Sequence, residues 1–370
     1  MIIQADPIAM RKSLMNRREV LRAGGALGLT LGFPSKSPGV EPIYLADMHY
    51  HLFFGGTYNQ GAYPIGPDLA GGSATLVAWS LITDAPWMGD GTDRYRQKKP
   101  AKPGDGFGWF NREISRIKGH IADQKLKIIG TSDDVDAATK GDPHIVLATE
   151  GTFFLDENLS LLYAAYEQGV RHVQLVHYLK NSVGDYQTEQ PAYGGLTEFG
   201  KQVVRECNRL GILIDLAHCT EQAVTQALSI SRAPMIWSHS SIVRPGNPNP
   251  DWSMMLWKAR QLTLPTAKRI AQNGGVVGLW AFAPDVGSSA AAYASRLAEM
   301  ADQLGEDHVG FGTDLHGLGD AKYQAVSNYR DLRNVVEHWQ KTGMKDSRIR
   351  KMAIQNYARV LKEAFRLRQA

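Results

Sequence analysis

The stretch GILIDLAHCTEQAVTQALSISRAPMIWSHSS, residues 211–241, decides the fold because it combines two strand patterns with one helix pattern. Two mostly apolar runs, at 212–216 and 235–237, flank a helix-like segment. Both runs are short and almost continuous, which indicates buried parallel strands rather than surface helices. His218 follows the first run and His239 follows the second. We therefore expect these two histidines at the same, carboxyl-terminal end of neighbouring strands.

The rest of the chain repeats this alternation of strands and helices. Eight strands are predicted, at residues 43–47, 73–81, 144–149, 171–176, 212–218, 235–239, 274–282 and 308–314. Helices are predicted at residues 109–125, 159–168, 198–210, 223–230, 266–272, 290–304 and 328–340, with a last helix that ends at 365. Alternation predicts a parallel sheet and eight units predict its closure, so the expected fold class is α/β, a (β/α)8 TIM barrel. Long loops are expected at 86–106 and at 244–252, the second folding over the barrel mouth.

Composition and charge are those of an ordinary globular enzyme. Hydrophobic residues make up 43% of the 370 residues, and the formal net charge is +4. This small charge does not indicate nucleic acid as a partner. The two cysteines, Cys207 and Cys219, are too few for a disulfide scaffold or a thiolate zinc site. Cys207 is expected in the core, and a nucleophilic role for Cys219 is disfavoured although it follows His218.

Residues 1–42 are predicted to be a targeting segment with a Pro-rich linker, and residues 43–370 a single domain. Arg17 and Arg18 precede a short, weakly apolar run that is too short to span a membrane. Twin arginines before such a run are typical of a Tat signal, so we expect export to the periplasm or the cell exterior by the Tat machinery. A basic tail without a targeting role is the alternative, and Met15 leaves a second start site open.

Side chains that bind metals or transfer protons follow most of the predicted strands. They are His49 and His51 on the first strand, Glu150 on the third, His177 on the fourth, His218 on the fifth, His239 on the sixth and Asp314 on the eighth. Because His49 and His51 are two residues apart on an extended chain, both point to the same face. Coincidence among 11 histidines and 37 acidic residues is the competing explanation. All strand ends of a barrel meet at one rim, so the set predicts a metal site there.

These residues and their surroundings resemble the membrane (renal-type) dipeptidases, which are binuclear zinc peptidases of the amidohydrolase superfamily. The resemblance runs from about residue 46 to the last helix. Its motifs are ATEG around Glu150, GVRHVQLVHYLKNSVGD around His177, GLTEFGKQVVRECNRLGILIDLAH, SHSS, NGGVVGL and GFGTDLHG. The resemblance implies an amidohydrolase-like barrel that cleaves the amide bond of dipeptides or similar small amides with a free carboxylate. It also implies that a hydroxide bridging two metal ions attacks that bond.

The resemblance further assigns the metal ligands. Glu150 would bridge two divalent ions, identified with Zn²⁺. His49 would bind one ion, and His218 with His239 the other. The family has His-x-Asp on the first strand where this chain has His51, which can still be a ligand because His-x-His is common in the superfamily.

The remaining roles concern protons and substrate. Asp314 would act as general base and acid, and His177 would contact the substrate carbonyl or its oxyanion. Arg260, in ARQLTLP, matches the arginine that holds the substrate carboxylate, with Arg244 as a competitor because an insertion blurs the alignment. Besides the dipeptide-like substrate and the Tat machinery, a second copy of the chain is a possible partner.

Two departures from the family leave other functions open. They are His51 in place of an aspartate and His316 where the family usually has an acid. One alternative keeps the barrel and metal but changes the substrate to an N-acyl amino acid, a lactone or a cyclic imide. Arg260 separates these substrates, since a guanidinium is needed only for a carboxylate. The other alternative is an exported metal-binding maturation factor without peptidase activity.

Overall fold

The computed structural model describes residues 41–52, 64–90, 95–244, 255–319 and 321–368. Its strands, in chain order, are β1 (Leu45–Tyr50), β2 (Ala74–Ile82), β3 (Met88–Asp90), β4 (Tyr95–Gln97), β5 (Lys127–Ile128), β6 (His144–Glu150), β7 (Val170–Gln174), β8 (Leu213–Asp215), β9 (Ile236–Trp237), β10 (Val276–Leu279) and β11 (Val309–Phe311). Eight of them pair in the order β1-β2-β6-β7-β8-β9-β10-β11, and every pairing is parallel. The ends of this sheet meet where Tyr50 bridges to Leu315. The result is a nearly closed parallel barrel, so the predicted (β/α)8 TIM-barrel class is confirmed.

Helices follow the barrel strands on the outside. In chain order they are α1 (Ile65–Gly72), α2 (Asp105–Asp123), α3 (Ser132–Thr139), α4 (Leu159–Glu167), α5 (Glu198–Leu210), α6 (Glu221–Ile230), α7 (Met255–Arg260), α8 (Leu264–Gln272), α9 (Ala283–Val286), α10 (Ala290–Leu304), α11 (Tyr329–Lys341), α12 (Asp346–Arg350) and α13 (Asn356–Arg366), with a π-helical turn at Lys351–Gln355 before the last. Their ends follow the expected chemistry. The side chain of Thr197 caps α5, and Gly211 ends it in the left-handed conformation with φ 73°.

Several short elements were not predicted. The expected loop at 86–106 contains an antiparallel hairpin in which β3 pairs with β4, and α2 already begins at Asp105. The helices α1 and α3 and the short strand β5 were also missed. The sequence of α1, IGPDLAGG, has three glycines and a proline, which lower helix propensity, and a two-residue strand has no detectable period.

Strands β7 to β11 each end two or three residues earlier than predicted. Strand β8 ends at Asp215 and β9 at Trp237, so His218 and His239 lie in the loops just beyond the strands. The backbone turns sharply there: φ is 69° at His218 and 55° at Asp314, both in the left-handed region. Such conformations are incompatible with the extended backbone of a strand.

The barrel interior is packed closely enough to require glycine at two positions. A Cβ placed on Gly278 would lie 1.8 Å from the carbonyl oxygen of Ser238, and one on Gly312 would lie 1.6 Å from it. At the opposite end, α13 contacts β1, β8, β10 and β11 and closes the barrel. The histidines and acids that were predicted at the strand ends gather at the other end, the carboxyl-terminal rim.

The predicted signal at Arg17 and Arg18, the linker up to residue 40 and most of the insertion, residues 245–252, lie outside the described residues. Within the described part of the chain, the helices are all too short or too polar to cross a membrane.

Candidate metal centre

The structure brings all seven residues predicted at the strand ends into one buried cluster. They are His49, His51, Glu150, His177, His218, His239 and Asp314, with exposures between 1% and 9%. Glu150 stands at the centre, because Oε1 lies 3.1 Å from Nε2 of His218 and 3.4 Å from Nε2 of both His49 and His177. Its second oxygen lies 3.5 Å from Nε2 of His51. Potential ligand atoms therefore surround one carboxylate on several sides.

Ser80 and Ser238 contact the Nδ1 atoms of the first histidine pair, His49 and His51. Nδ1 of His51 donates to the carbonyl oxygen of Ser80 at 2.9 Å, which directs Nε2 toward Glu150. Nδ1 of His49 lies 3.2 Å from the hydroxyl of Ser80 and 3.3 Å from that of Ser238. Hydrogen bonds of this kind at the remote ring nitrogen are typical of metal-binding histidines, since they set the tautomer and the ring orientation.

The second pair, His218 and His239, follows two neighbouring strands. Nε2 of His218 lies 3.2 Å from Nε2 of His239, and Nδ1 of His239 lies 2.8 Å from the Ser238 hydroxyl. Beneath this pair, Asp215 accepts hydrogen bonds from the backbone amides of Ala217 and Ser238, both at 2.9 Å. Asp215 is fully buried and was not singled out in the sequence, because it lies inside an apolar run.

The electrostatic environment differs from residue to residue. Burial would raise the pKa of Glu150, but the charges of His177 and His49 outweigh burial and hold that pKa well below its usual range. Burial, with the charge of Arg260, lowers the pKa of His218 well below its usual range. The pKa of His51 moves the other way, because Asp314 and Glu150 outweigh burial and raise it.

The ligand set fits divalent metal ions. Ligand atoms about 2.0–2.1 Å from a tetrahedral ion are about 3.3 Å apart. The contacts among the four ligand histidines and Glu150 range from 3.0 Å (His49 to His51) to 3.6 Å (His239 to Glu150). Both ring nitrogens of His51 face acceptors, although a neutral imidazole carries a proton on only one of them. A cation between Nε2 and the carboxylates would satisfy the nitrogen without a proton. Two groups of ligand atoms share the Glu150 carboxylate: His49 with His51, and His218 with His239.

Asp314 lies at the edge of this cluster. Its Oδ1 is 3.2 Å from Nε2 of His51, and its side chain is slightly more exposed than the histidines. A Cβ on Gly317 would lie 2.1 Å from the same oxygen, so a larger residue there would displace the Asp314 carboxylate. His316 packs its ring against Tyr50, and burial lowers its pKa to about 4.

Two arginines compete for the substrate-binding role, and their surroundings differ. Arg260 is 2% exposed and donates from Nη2 to Nε2 of His239 at 3.1 Å and from Nη1 to the hydroxyl of Tyr178 at 3.4 Å. Arg244 instead pairs with Glu299 through two hydrogen bonds of its Nε, at 3.1 and 3.3 Å. Only the first of the two faces the metal-ligand cluster.

Sequence reasoning missed two further residues at the mouth. Asp84, just after β2, lies with Oδ1 2.7 Å from Nδ1 of His177. Tyr178 places its ring 4.5 Å from the ring of His177 and 4.8 Å from that of His218. The position of Asp84 at a strand end is the signal that could have found it. Cys219 is buried and burial raises the pKa of its thiol, so the disfavoured nucleophilic role has no structural support.

The sequence model of the membrane dipeptidase family matches residues 70–370. Dipeptidase tcpJ of Claviceps purpurea is 28% identical over 304 residues, which cover 80% of this chain and 68% of that relative. Other curated relatives are covered less completely, between 44% and 60% of their length.

Solved structures agree with the barrel. The probable dipeptidase PvdM from Pseudomonas aeruginosa superposes with a TM-score of 0.70 at 20% identity, covering 88% of this chain and 96% of that one. A metallo peptidase from Rhodobacter sphaeroides gives 0.68 at 21% identity, covering 87% and 99%. At these identities the likeness shows the fold. The family match spans most of the chain, so the chain belongs to the membrane dipeptidase family, peptidase family M19, and is a metal-dependent hydrolase of the dipeptidase type.

Proposed function

We propose that this protein hydrolyses the amide bond of dipeptides with a free carboxylate and that it uses two divalent metal ions, which we identify with Zn²⁺. The observation that carries the proposal is the sharing of one buried carboxylate, Glu150, by two pairs of histidines. Imidazole and carboxylate ligands suit zinc. When bound, the two cations supply Lewis-acid activation of water and of the scissile carbonyl. His49 and His51 would hold one ion, and His218 and His239 the other.

Asp314 and His177 contact different members of the ligand cluster, His51 and Glu150 respectively. We assign Asp314 the transfer of a proton from the attacking water to the leaving amine, because its carboxylate is 3.2 Å from a ligand histidine and reaches the mouth. His177 presents Nε2 to the centre, 3.4 Å from Oε1 of Glu150. We assign it a hydrogen bond to the substrate carbonyl oxygen as negative charge develops there.

Arg260 is the proposed partner of the substrate carboxylate. Its guanidinium is buried among Tyr178, His239 and the ring of Trp280, whose centroid is 5.8 Å away. Among the residues that the structure describes, no carboxylate pairs with this buried guanidinium, which favours an anionic ligand. This position supports a substrate with a free carboxylate over a lactone or an imide. The metallo peptidase from Rhodobacter sphaeroides was solved with a phosphinate mimic of the dipeptide L-Ala-D-Ala, a ligand of the class proposed here.

The test combines metal analysis of the purified protein with a hydrolysis screen. The substrates are dipeptides with L- and D-residues at the C-terminal position, each matched with its C-terminal amide as a control. We expect about two metal ions per chain, and hydrolysis of free dipeptides in preference to their amides. Equal turnover of the amides, or of lactones, would point to the other amidohydrolase substrates. Full metal loading without any turnover would favour the maturation factor.

We further propose export through the Tat machinery, on the evidence of Arg17 and Arg18 before a weakly apolar run. Changing both to lysine keeps the charge but removes the paired guanidinium groups. The Arg17→Lys, Arg18→Lys variant is expected to accumulate in the cytoplasm in a folded, metal-loaded form. Cell fractionation with activity assays measures this. Export at the wild-type level would indicate the general secretory route instead.

A further inference from the structure

A buried carboxylate that takes no part in the proposed mechanism lies directly behind His177. Asp84 is 2% exposed, and its Oδ1 lies 2.7 Å from Nδ1 of His177. Its Oδ2 accepts hydrogen bonds from the backbone amides of Tyr178 at 3.3 Å and Leu179 at 3.1 Å. An ionised carboxylate offers acceptors only, so Nδ1 of His177 carries a proton in this contact. Asp84 is therefore bound to both the side chain and the backbone of the segment that carries His177.

The contact determines where the other ring nitrogen points. With Nδ1 bonded to Asp84, Nε2 of His177 faces the metal centre, 3.4 Å from Oε1 of Glu150. The imidazole cannot turn about its Cβ–Cγ bond without breaking the hydrogen bond to Asp84. The contact with Asp84 thus sets the direction in which Nε2 faces the centre, where a substrate carbonyl oxygen would lie.

A glycine makes room for this pair. Strand β6 lies between β2 and β7, so Asp84 must reach past the end of β6 to meet His177. The residue at that end is Gly151, with φ 78°. A Cβ there would lie 3.1 Å from Cβ of His177 and 3.2 Å from Oγ1 of Thr83. The glycine in the ATEG motif thus leaves the space through which Asp84 and His177 approach each other.

We propose that Asp84 is a positioning residue for the hydrolysis, holding His177 in the orientation in which Nε2 meets the substrate carbonyl. The inference rests on the role proposed above for His177. The contacts of Asp84 that the structure describes are with His177 and the backbone beside it, so Asp84 acts through the histidine. Removing its carboxylate should therefore affect the transition state more than substrate binding.

The kinetic test is a double-mutant cycle on the metal-loaded enzyme. Asp84→Asn is expected to lower kcat by roughly tenfold to hundredfold with little change in KM, the usual cost of removing such a partner. In a His177→Asn background, Asp84→Asn should cause little further loss, because the residue it positions is gone. An undiminished effect of Asp84→Asn in that background would overturn the proposal in favour of a structural role in the loop.

Asp185 provides a matched control. It is 3% exposed and, like Asp84, accepts hydrogen bonds from backbone amides, including those of Ala192 at 2.7 Å and Gly195 at 2.7 Å. Its hydrogen bonds go to the loop backbone and not to His177. The effect of Asp185→Asn should therefore add to that of His177→Asn. If Asp84→Asn and Asp185→Asn behave alike in the cycle, positioning is excluded.

A spectroscopic readout keeps this inference separate from the proposed function. In protein with ¹⁵N-labelled histidine, Nδ1–H of His177 should give a strongly downfield proton resonance, assigned by its loss in His177→Asn. We expect Asp84→Ala to abolish it, and its persistence in that variant would overturn the inference. If the wild type hydrolyses no dipeptide, the proposed function fails, whereas an Asp84-dependent resonance still supports the positioning of His177.

Discussion

The two histidine pairs that flank Glu150 differ in how they are built and in what surrounds them. His49 lies in β1 and His51 directly follows it, and the carboxylate of Asp314 lies 3.2 Å from His51. His218 and His239 lie in the loops after two neighbouring strands, and the guanidinium of Arg260 lies 3.1 Å from His239. One side of the centre is therefore bordered by a carboxylate and the other by a guanidinium cation.

This difference suggests how the work is divided. The acidic neighbours raise the pKa of His51, whereas burial, with the charges of His49 and Arg260, lowers the pKa of His239 well below its usual range. The side with Asp314 suits proton transfer, and the side with Arg260 suits the negative end of a substrate. Each of the following substitutions removes a side chain from one side of the centre, from both sides, or from the contact that joins the two histidine pairs.

The largest effect is expected from Glu150→Gln, which removes the carboxylate that both pairs share. An amide is a poor zinc ligand and cannot bridge two cations, so both sites should weaken together. We expect the metal content of the purified protein to fall well below two per chain, and turnover to fall to background. Metal analysis beside a dipeptide assay measures this. A stoichiometry near one that Glu150→Gln leaves unchanged would contradict a shared centre.

Asp314→Asn should separate chemistry from metal binding on the acidic side. The five side chains assigned as metal ligands remain, so most of the metal should stay bound. The value of kcat should fall by roughly a hundredfold to ten-thousandfold, as for a positioned general acid–base group. Metal analysis and steady-state kinetics on the same preparation decide the matter. Parallel losses of metal and activity would make Asp314 a ligand. Near-normal turnover would exclude both roles and the mechanism proposed for them.

Arg260→Ala tests the basic side, with Arg244→Ala as its matched control. Loss of a charged hydrogen bond to the substrate carboxylate should lower kcat/KM for free dipeptides by roughly tenfold to hundredfold. The preference over the C-terminal amides should disappear with it. Arg244 pairs with Glu299 away from the cluster, so its variant should keep both activity and preference. The reverse result would exchange the two assignments.

The barrel and the residues at its carboxyl-terminal rim could be predicted because both follow from the order of strands and helices along the chain. Strand and helix patterns alternate, and the carboxyl ends of parallel strands meet at one rim. A histidine or acid after each apolar run must therefore approach the others, as the cluster around Glu150 does. No distances were needed for this prediction. The roles of these side chains remain predictions that kinetics must test.

The supporting contacts could not be predicted, because they depend on the fold. Asp84 stands in TDAP, which resembles any polar turn after a strand, and its partner is 93 residues away across β6. Arg244 and Arg260 flank one insertion, and only the folded chain turns Arg260 inward. The hairpin of β3 and β4 was missed because its strands have three residues each, too few for an alternating pattern.

The smallest expected effect concerns the connection between the two pairs. The hydroxyl of Ser238 lies 2.8 Å from Nδ1 of His239 and 3.3 Å from Nδ1 of His49, so it supports one histidine of each pair. The hydroxyl of Ser80 lies 3.2 Å from Nδ1 of His49 alone. We expect Ser238→Ala to lower the affinity for both ions about tenfold, since such partners orient the ligand rings. Ser80→Ala should lower the affinity for one ion only, and by a smaller factor than Ser238→Ala, because Ser238 still contacts His49. Titration with a competing chelator resolves the two affinities. Equal weakening of both ions by Ser80→Ala would show that the two sides do not bind their ions independently.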